Sequence, residues 1–419
     1  MINSNKERAL IVGVNVNNDT HFEESIKELK NLALACDIEP IGEVVQNLQR
    51  IHAGHYVGSG KLDEIRMLID AEEIDVLVFE DELTPSQMRN LGKQLNIEIL
   101  DRTRLILEIF ARRAQTKEAK LQVEVANLKY ILPRLRDNNQ DFNRQRGGGV
   151  KNRGSGETKL ELDRRRIETK ISELEKELKN IASNREVRRK RRHQSRVPVI
   201  ALVGYTNAGK STLMNTMVKK YQDVEEKLVF EKDMLFATLD TSVRNIQFEN
   251  GKRILLSDTV GFINKLPHHL IRAFHTTLEE VKEADLLLHI VDCANPNYKK
   301  HLAVTNETLT MIGADHIDQI VVYNKIDLNP DSTPSNGQNI AYLSAKKNQG
   351  FEQLIQMLTD HLFKSHQTYQ LLAPHHESHI ISGLKENGSI LELSHVDEGT
   401  LLSVELSEID AKRYKKFIK

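Results

Sequence analysis

The sequence predicts a multidomain α/β protein whose central domain is a mostly parallel sheet with helices on both faces. Three observations predict it. Strand and helix signals alternate through residues 1–112 and again through 197–366, the pattern of parallel strands joined by helices. Residues 113–196, between these stretches, carry apolar residues at helical spacing and no strand signal. Within the second stretch a β-branched run, Val197 to Val203, leads into a glycine loop and then a helix. A chain of 419 residues is too long for one core. The expected parts are an N-terminal α/β domain (1–112), a helical-hairpin linker (113–196), the central domain (197–366) and a small C-terminal α+β domain (367–419).

In the first part, Ala9 to Val14 reads as a strand, Glu23 to Ala35 as an amphipathic helix, Val76 to Phe79 as a strand and Pro85 to Leu95 as a helix. Gly58-Ser59-Gly60-Lys61 precedes a helical pattern. It lacks a full phosphate-loop pattern and reads first as a plain turn that starts a helix, with ATP binding there as the other reading. In the linker, Leu121, Val125, Leu128, Leu132 and Leu135 share one helical face. Ile167, Ile171, Leu174, Leu178 and Ile181 share another, near a heptad rhythm. Gly147, Gly148 and Gly149 lie between them, flanked by Arg144, Arg146, Lys151 and Arg153. The expectation is an antiparallel hairpin with a basic, glycine-rich tip. In the last part, Ile390 to Leu393 and Leu401 to Leu406 are strands and Glu408 to Ile418 a closing helix.

The glycine loop carries the most chemistry. Residues 204–211 read Gly-Tyr-Thr-Asn-Ala-Gly-Lys-Ser, fitting G-x-x-x-x-G-K-[ST]. Gly204 and Gly209 let backbone N–H groups curl around a phosphate, with Tyr205, Thr206, Asn207 and Ala208 forming the loop between them. Lys210 supplies a point charge to the β- and γ-phosphates, Thr212 continues the helix that faces them, and the Ser211 hydroxyl suits Mg²⁺. Asn207 offers an oxygen at which a K⁺ ion would supply further positive charge in the transition state.

Residues 324–327 read Asn-Lys-Ile-Asp after a strand-like run, Gln319 to Tyr323. Asp327 would accept hydrogen bonds from the ring N–H and exocyclic amine of guanine, a pair that adenine lacks. Asn324 and Lys325 would brace the loop and cover the base, and a backbone N–H at Ser344 or Ala345 would meet the guanine carbonyl. The two motifs in this order imply a P-loop GTPase domain. Between them, Asp258-Thr259-Val260-Gly261 ends a strand: Asp258 is the expected water-mediated Mg²⁺ ligand and the Gly261 N–H the γ-phosphate sensor. Thr238, in Phe-Ala-Thr-Leu-Asp at 236–240, is the expected mobile third metal ligand. Lys210, Thr238 and Gly261 are therefore the candidate catalytic residues. Position 262, where many GTPases carry a water-orienting glutamine, is Phe262, and slow intrinsic hydrolysis is expected.

Charge and cysteine content bound the rest. Charged residues make up 28% of the chain and the net charge is −1. That balance conceals seven Arg/Lys against Glu186 in 185–196 and eight against three acids in 144–166, two basic stretches suited to a polyanion. Arg144, Arg146, Lys151 and Arg153 are the candidate RNA contacts. Cys36 and Cys293 form no metal or redox spacing, which suggests a reducing compartment. The polar first residues do not read as a signal peptide, and Leu286 to Val291 is too short to cross a bilayer.

The residues quoted at 204–211, 236–240 and 258–263, with Leu266-Pro267, resemble the HflX family of bacterial GTPases. Outside the central domain, Asp101-Arg102-Thr103, Gly147-Gly148-Gly149, Gly156-Glu157 and Asp163-Arg164-Arg165 carry the same resemblance, which spans nearly the whole chain. The expectation is a cytoplasmic monomer, with or without peripheral membrane association, that binds GTP or GDP with Mg²⁺, and the resemblance implies an N-terminal α/β domain, a helical linker, a GTPase domain and a small C-terminal domain. It also implies binding to the large ribosomal subunit and its rRNA, with the basic tip as the contact, and GTP-dependent splitting of stalled or idle ribosomes. Two other readings remain open: a tRNA-modification GTPase, which shares the Asn207 type of loop but ends in a cysteine motif this chain lacks, and a non-catalytic nucleotide-binding RNA scaffold.

Overall fold

The computed structural model describes residues 6–135, 153–195, 197–221, 235–236, 239, 242–248, 251–267, 270, 280–328, 339–377, 380–381, 383–384 and 389–419, with backbone alone for 153–160 and 184–195. Thr238, Arg144, Arg146 and Lys151 lie outside the described residues, and of Arg153 only the backbone is described. The chain forms two compact units. One comprises residues 1–182 with 233–239 and 264–274; the other comprises 183–232, 240–263 and 275–419.

In the first unit, β1 (Glu7–Val16), β2 (Ile38–Leu48), β3 (Val76–Phe79) and β4 (Glu98–Asp101) form a sheet in the order β2-β1-β3-β4, parallel throughout. The helices α1 (Phe22–Ala35), α2 (Ser59–Ala71), α3 (Pro85–Leu95) and α4 (Arg102–Arg113) connect and cover it. Leu10, Val12, Leu77, Phe79, Ile65 and Leu91 meet in its core. The ends of α3 follow from its sequence: Thr84 and Gln87 form a capping box, Pro85 stands in the first turn, and Asn96 closes the helix at φ 50°. Gly58 is the N-cap residue of α2, and Lys61 pairs with Glu64 of the same helix at 2.7 Å, the helix-start reading of 58–61.

Next come α5 (Lys117–Leu135) and α6 (Arg153–Ser195). Leu121 and Val125 pack with Ile171 and Leu174, joined by Leu128, Leu132, Ile167, Leu178 and Ile181. The helical spacing read from the sequence brings these side chains together.

The second unit holds a six-stranded sheet of β5 (Val199–Gly204), β6 (Ser242–Gln247), β7 (Arg253–Asp258), β8 (Leu286–Asp292), β9 (Gln319–Asn324) and β10 (Ile340–Tyr342). Their order is β10-β9-β8-β5-β7-β6, parallel except for the edge strand β6. Helices α7 (Lys210–Tyr221), α8 (Tyr298–Ile312) and α9 (Phe351–Leu362) accompany it. Ile200, Leu202, Leu256, Leu288, Val322, Met214 and Leu354 are fully buried between sheet and helices. The strand order reverses between β5 and β8, so a crevice at the carboxyl ends of these strands is the expected binding place.

A three-stranded antiparallel sheet follows, β11 (His366–Pro374), β12 (Ser389–Val396) and β13 (Gly399–Ser407) in the order β11-β13-β12, with α10 (Glu408–Arg413). The helix expected to reach Ile418 stops at Arg413. Instead Leu372 N donates to Phe417 O at 2.8 Å and Ile418 bridges to Leu371, so the tail extends the edge of β11 while Phe417 and Ile418 pack on the core. Lys252, in the β6–β7 turn, pairs with Glu405 of β13 at 2.9 Å.

Candidate guanine-nucleotide site

The loop after β5 wraps around the N-terminus of α7, and β5 itself is buried on both sides. Tyr205, Thr206 and Ala208 are buried; Asn207 stands exposed at φ 59°. Lys210 is 6% exposed, and its Nζ donates to Gly204 O at 3.0 Å and Tyr205 O at 2.8 Å. Burial pulls its pKa down to about 8, with the charge of Asp258 acting the other way. Gly209 has φ 95°, and a Cβ there would come within 2.2 Å of Asn324 Nδ2. Only glycine lets the loop close onto the residue that ends β9.

Asp258, fully buried at the end of β7, accepts a hydrogen bond from Ser211 Oγ at 2.7 Å. A carboxylate and a hydroxyl brought together at a helix N-terminus are hard oxygen donors, which fits Mg²⁺ shared with nucleotide phosphates. Ser211 and Asp258 would hold the ion, and it would supply charge neutralisation at the phosphates. The next residue, Thr259, is fully buried and donates from Oγ1 to Leu202 O at 2.6 Å, fastening this segment to β5. Phe262 is 2% exposed; its N–H donates to Gly204 O at 3.1 Å and its carbonyl accepts from Thr206 N at 2.7 Å. The apolar ring at this position is packed away from solvent.

Three loops from separate strand ends meet at the candidate base site. Asn324 Nδ2 donates to Ala208 O at 2.9 Å, and Asn324 Oδ1 accepts from Ala345 N at 3.0 Å. One buried side chain thereby ties the phosphate loop to the loop at 344–345. Asp327 sits in a short 3₁₀ turn, Ile326–Leu328, with its side chain 9% exposed. The Ser344 hydroxyl, bonded to it, holds its carboxyl below the usual range, so it is an acceptor at neutral pH. Lys325, at φ 66°, reaches Asp292 Oδ2 at 2.8 Å. Thr216 of α7 adds a further tie, donating to Ala345 O at 3.0 Å.

The residues expected to bind nucleotide (204–212, 258, 261, 324, 325, 327, 344 and 345) are all described, and they lie at strand ends, in loops or at helix starts at this end of the sheet. Phe236, two residues before Thr238, belongs to the first unit, where its ring meets Phe110 edge-on at 4.7 Å. Sequence reading missed Asp292, Thr259, Thr216 and His301, whose ring stacks on Tyr205 at 3.8 Å and 7°. Asp292 had a signal: it ends the apolar strand β8 and lies opposite Asn324 in register. The others become visible only once the strands are placed side by side.

Sheet order, phosphate loop, buried Asp258 and guanine-loop bracing define a P-loop GTPase. Three family models match in succession: GTP-binding GTPase N-terminal at 23–111, GTP-binding GTPase Middle Region at 113–192, and 50S ribosome-binding GTPase at 199–325. GTPase HflX of Caldanaerobacter subterraneus subsp. tengcongensis is 42% identical over 413 residues, covering 99% of this chain and 94% of that protein. GTPase HflX of Escherichia coli K12 is 36% identical over 417 residues, covering 98% and 96%. A GTP-binding protein from the hyperthermophilic archaeon Sulfolobus solfataricus, solved with GDP, overlaps at 26% identity and a TM-score of 0.45, covering 85% of this chain and 99% of that one. The chain belongs to the HflX family and is a GTP-binding, GTP-hydrolysing enzyme. Among the described residues no helix is long and apolar enough to cross a membrane.

Proposed function

We propose that this GTPase works on the ribosome, binding the large subunit and using its nucleotide cycle to split stalled or idle ribosomes in the cytoplasm. The match of residues 199–325 to a 50S ribosome-binding GTPase model carries the reading. The basic residues Arg144, Arg146, Lys151 and Arg153 among glycines support rRNA as the surface contacted, because arginines neutralise phosphates and glycines permit close approach.

At the nucleotide, Lys210 grips the β- and γ-phosphates, Gly204 to Thr212 surround them, and the Gly261 N–H meets the γ-phosphate. Ser211, Asp258 and, with GTP bound, Thr238 hold Mg²⁺. Asp327 reads guanine, Asn324 keeps its loop on the phosphate loop, Lys325 covers the base, and Ser344 and Ala345 close its far edge. Buried, apolar Phe262 cannot orient a water, which supports slow turnover until the ribosome supplies the missing group. K⁺ at Asn207 is the accompanying proposal; equal turnover in KCl and NaCl would remove it.

The deciding experiment measures GTP turnover by the monomeric protein alone and with large subunits, beside sedimentation with whole ribosomes in GTP, GDP and a non-hydrolysable analogue. Strong stimulation, with subunits separating in GTP, is expected. Turnover indifferent to ribosomes but accompanied by tRNA binding would favour tRNA modification, and no turnover would favour a scaffold. Deleting 144–153 is expected to spare GTP binding and weaken ribosome association as salt rises.

A further inference from the structure

The phosphate loop leaves β5 hard against β8: Gly204 has φ 146°, and a Cβ there would stand 2.3 Å from Ile290 O. Tyr205, the next residue, is held in three ways. Its carbonyl accepts from Lys210 Nζ at 2.8 Å and from Ala208 N at 3.3 Å. Its backbone bridges to Phe262: Phe262 N donates to Gly204 O at 3.1 Å and Thr206 N donates to Phe262 O at 2.7 Å. Its ring, on a residue only 7% exposed, lies flat on the His301 imidazole at 3.8 Å and 7° from parallel. All of these residues belong to the second compact unit.

His301 is itself firmly placed. It stands in the first turns of α8, where its N–H donates to Asn297 O at 3.2 Å and its carbonyl accepts from the hydroxyl of fully buried Thr305 at 2.9 Å. Side chains close the turn into this helix: Asp292 Oδ1 accepts from Ala294 N at 3.0 Å, and Asn295 Oδ1 accepts from Asn297 N at 2.9 Å. The other oxygen of Asp292 meets Lys325 at 2.8 Å. One helix start therefore supports the guanine loop through Asp292 and the phosphate loop through His301. A stacked ring pair contributes free energy beyond the area it buries. With its ring held, Tyr205 has less freedom to rotate its backbone, which directs its carbonyl and the curl of the N–H groups that follow. A loop formed in advance loses less conformational entropy when phosphates arrive.

We propose that His301 is a positioning residue for the phosphate site, holding Tyr205 by its ring so that the loop from Gly204 to Lys210 is already curled for the phosphates that GDP and GTP share. This deepens, and rests on, the reading of 204–211 as the loop that binds those phosphates.

The test compares equilibrium affinities of the full-length protein for GDP and for a non-hydrolysable GTP analogue. His301→Ala is expected to weaken both by the same factor, about threefold to tenfold, and His301→Phe, which keeps a flat ring, to stay within about twofold of wild type. Alanine favours a helix more than histidine does, so the loss does not come from a weakened α8. In the free protein, hydrogen exchange is expected to quicken at 205–208 in His301→Ala and to stay unchanged along 302–312. In a Tyr205→Leu background, His301→Ala is expected to cause no further loss, because the ring it acts on is gone. His301→Leu fills the same space without a ring face, and its affinities decide if the alanine variant does not fold. Wild-type affinity in the folded variant, exchange unchanged at 205–208, no recovery with phenylalanine, or an equal loss with and without the Tyr205 ring overturns the positioning role. Lys210→Ala separates this role from the underlying site: if it leaves GDP affinity unchanged, the phosphate-loop reading falls as well.

Discussion

Raising the pH from 7 to 8.5 is expected to weaken GDP binding through a single group, Lys210. Burial brings its pKa down to about 8 in the free protein. At pH 7 about nine-tenths of the molecules carry the ammonium, and at pH 8.5 about a quarter do. Phosphate oxygens in place of the Gly204 and Tyr205 carbonyls would stabilise the charged form, so the complex stays protonated across this range. The dissociation constant then rises about fourfold between the two pH values, and binding at pH 8.5 takes up about three-quarters of a proton. Titration calorimetry in two buffers of different ionisation enthalpy measures both quantities. Stopping at pH 8.5 keeps the titration of the guanine ring N–H out of the comparison. Constant affinity with no proton uptake would refute the argument that this lysine is the phosphate ligand and that burial lowers its pKa.

Other perturbations follow from the same contacts. Asn324→Ala removes the bridge from Ala208 O to Ala345 N; GDP and GTP are expected to weaken together by roughly tenfold to a hundredfold, and a loss confined to one nucleotide would contradict its bracing role. Asp327→Asn is expected to narrow the preference for GTP over ATP by at least about a hundredfold, read by competition against a fluorescent GDP. Burial lowers the His289 pKa to about 4, with nearby Gln319 opposing and the Lys210 charge adding to it. The unfolded chain therefore gains a proton near pH 6.5 that the folded chain refuses, and stability present above that pH is lost as pH falls toward 4, by up to about 3 kcal/mol. The difference between wild type and His289→Leu in urea unfolding should carry that slope, and parallel pH profiles would exclude it.

The architecture was legible because its signals are local. Val76–Phe79 and Pro85–Leu95 have the bounds expected from apolar runs and from a proline in a first turn. The motif at 204–211 is a contiguous stretch that must fold back on itself, so its composition alone announced the loop. The amphipathic signal at 408–418 misled beyond Arg413, since Phe417 and Ile418 are apolar at positions that suit either a helix face or a strand edge. Edge pairing with β11 decided between them. Thr259 and His301 were illegible for a related reason: each acts on a partner 57 or 96 positions earlier in the chain, Leu202 or Tyr205.

By itself the sequence determined the kind of ligand. Gly204, Gly209, Lys210, Ser211, Asp258 and Asp327 stand in motifs whose order along the chain points to a guanine nucleotide, and the binary pattern marked most of the strands and helices. Only tertiary structure decided how separate loops are tied together: Asn324 joining Ala208 to Ala345, Asp292 holding Lys325, Ser344 settling the charge of Asp327. It also decided that Lys265 lies within the first compact unit, its ammonium against a fully buried glutamate. The physical reason is range. Backbone preference and hydrophobic period act over a few residues, whereas desolvation and hydrogen-bond satisfaction depend on which distant groups the sheet order brings within about 3 Å.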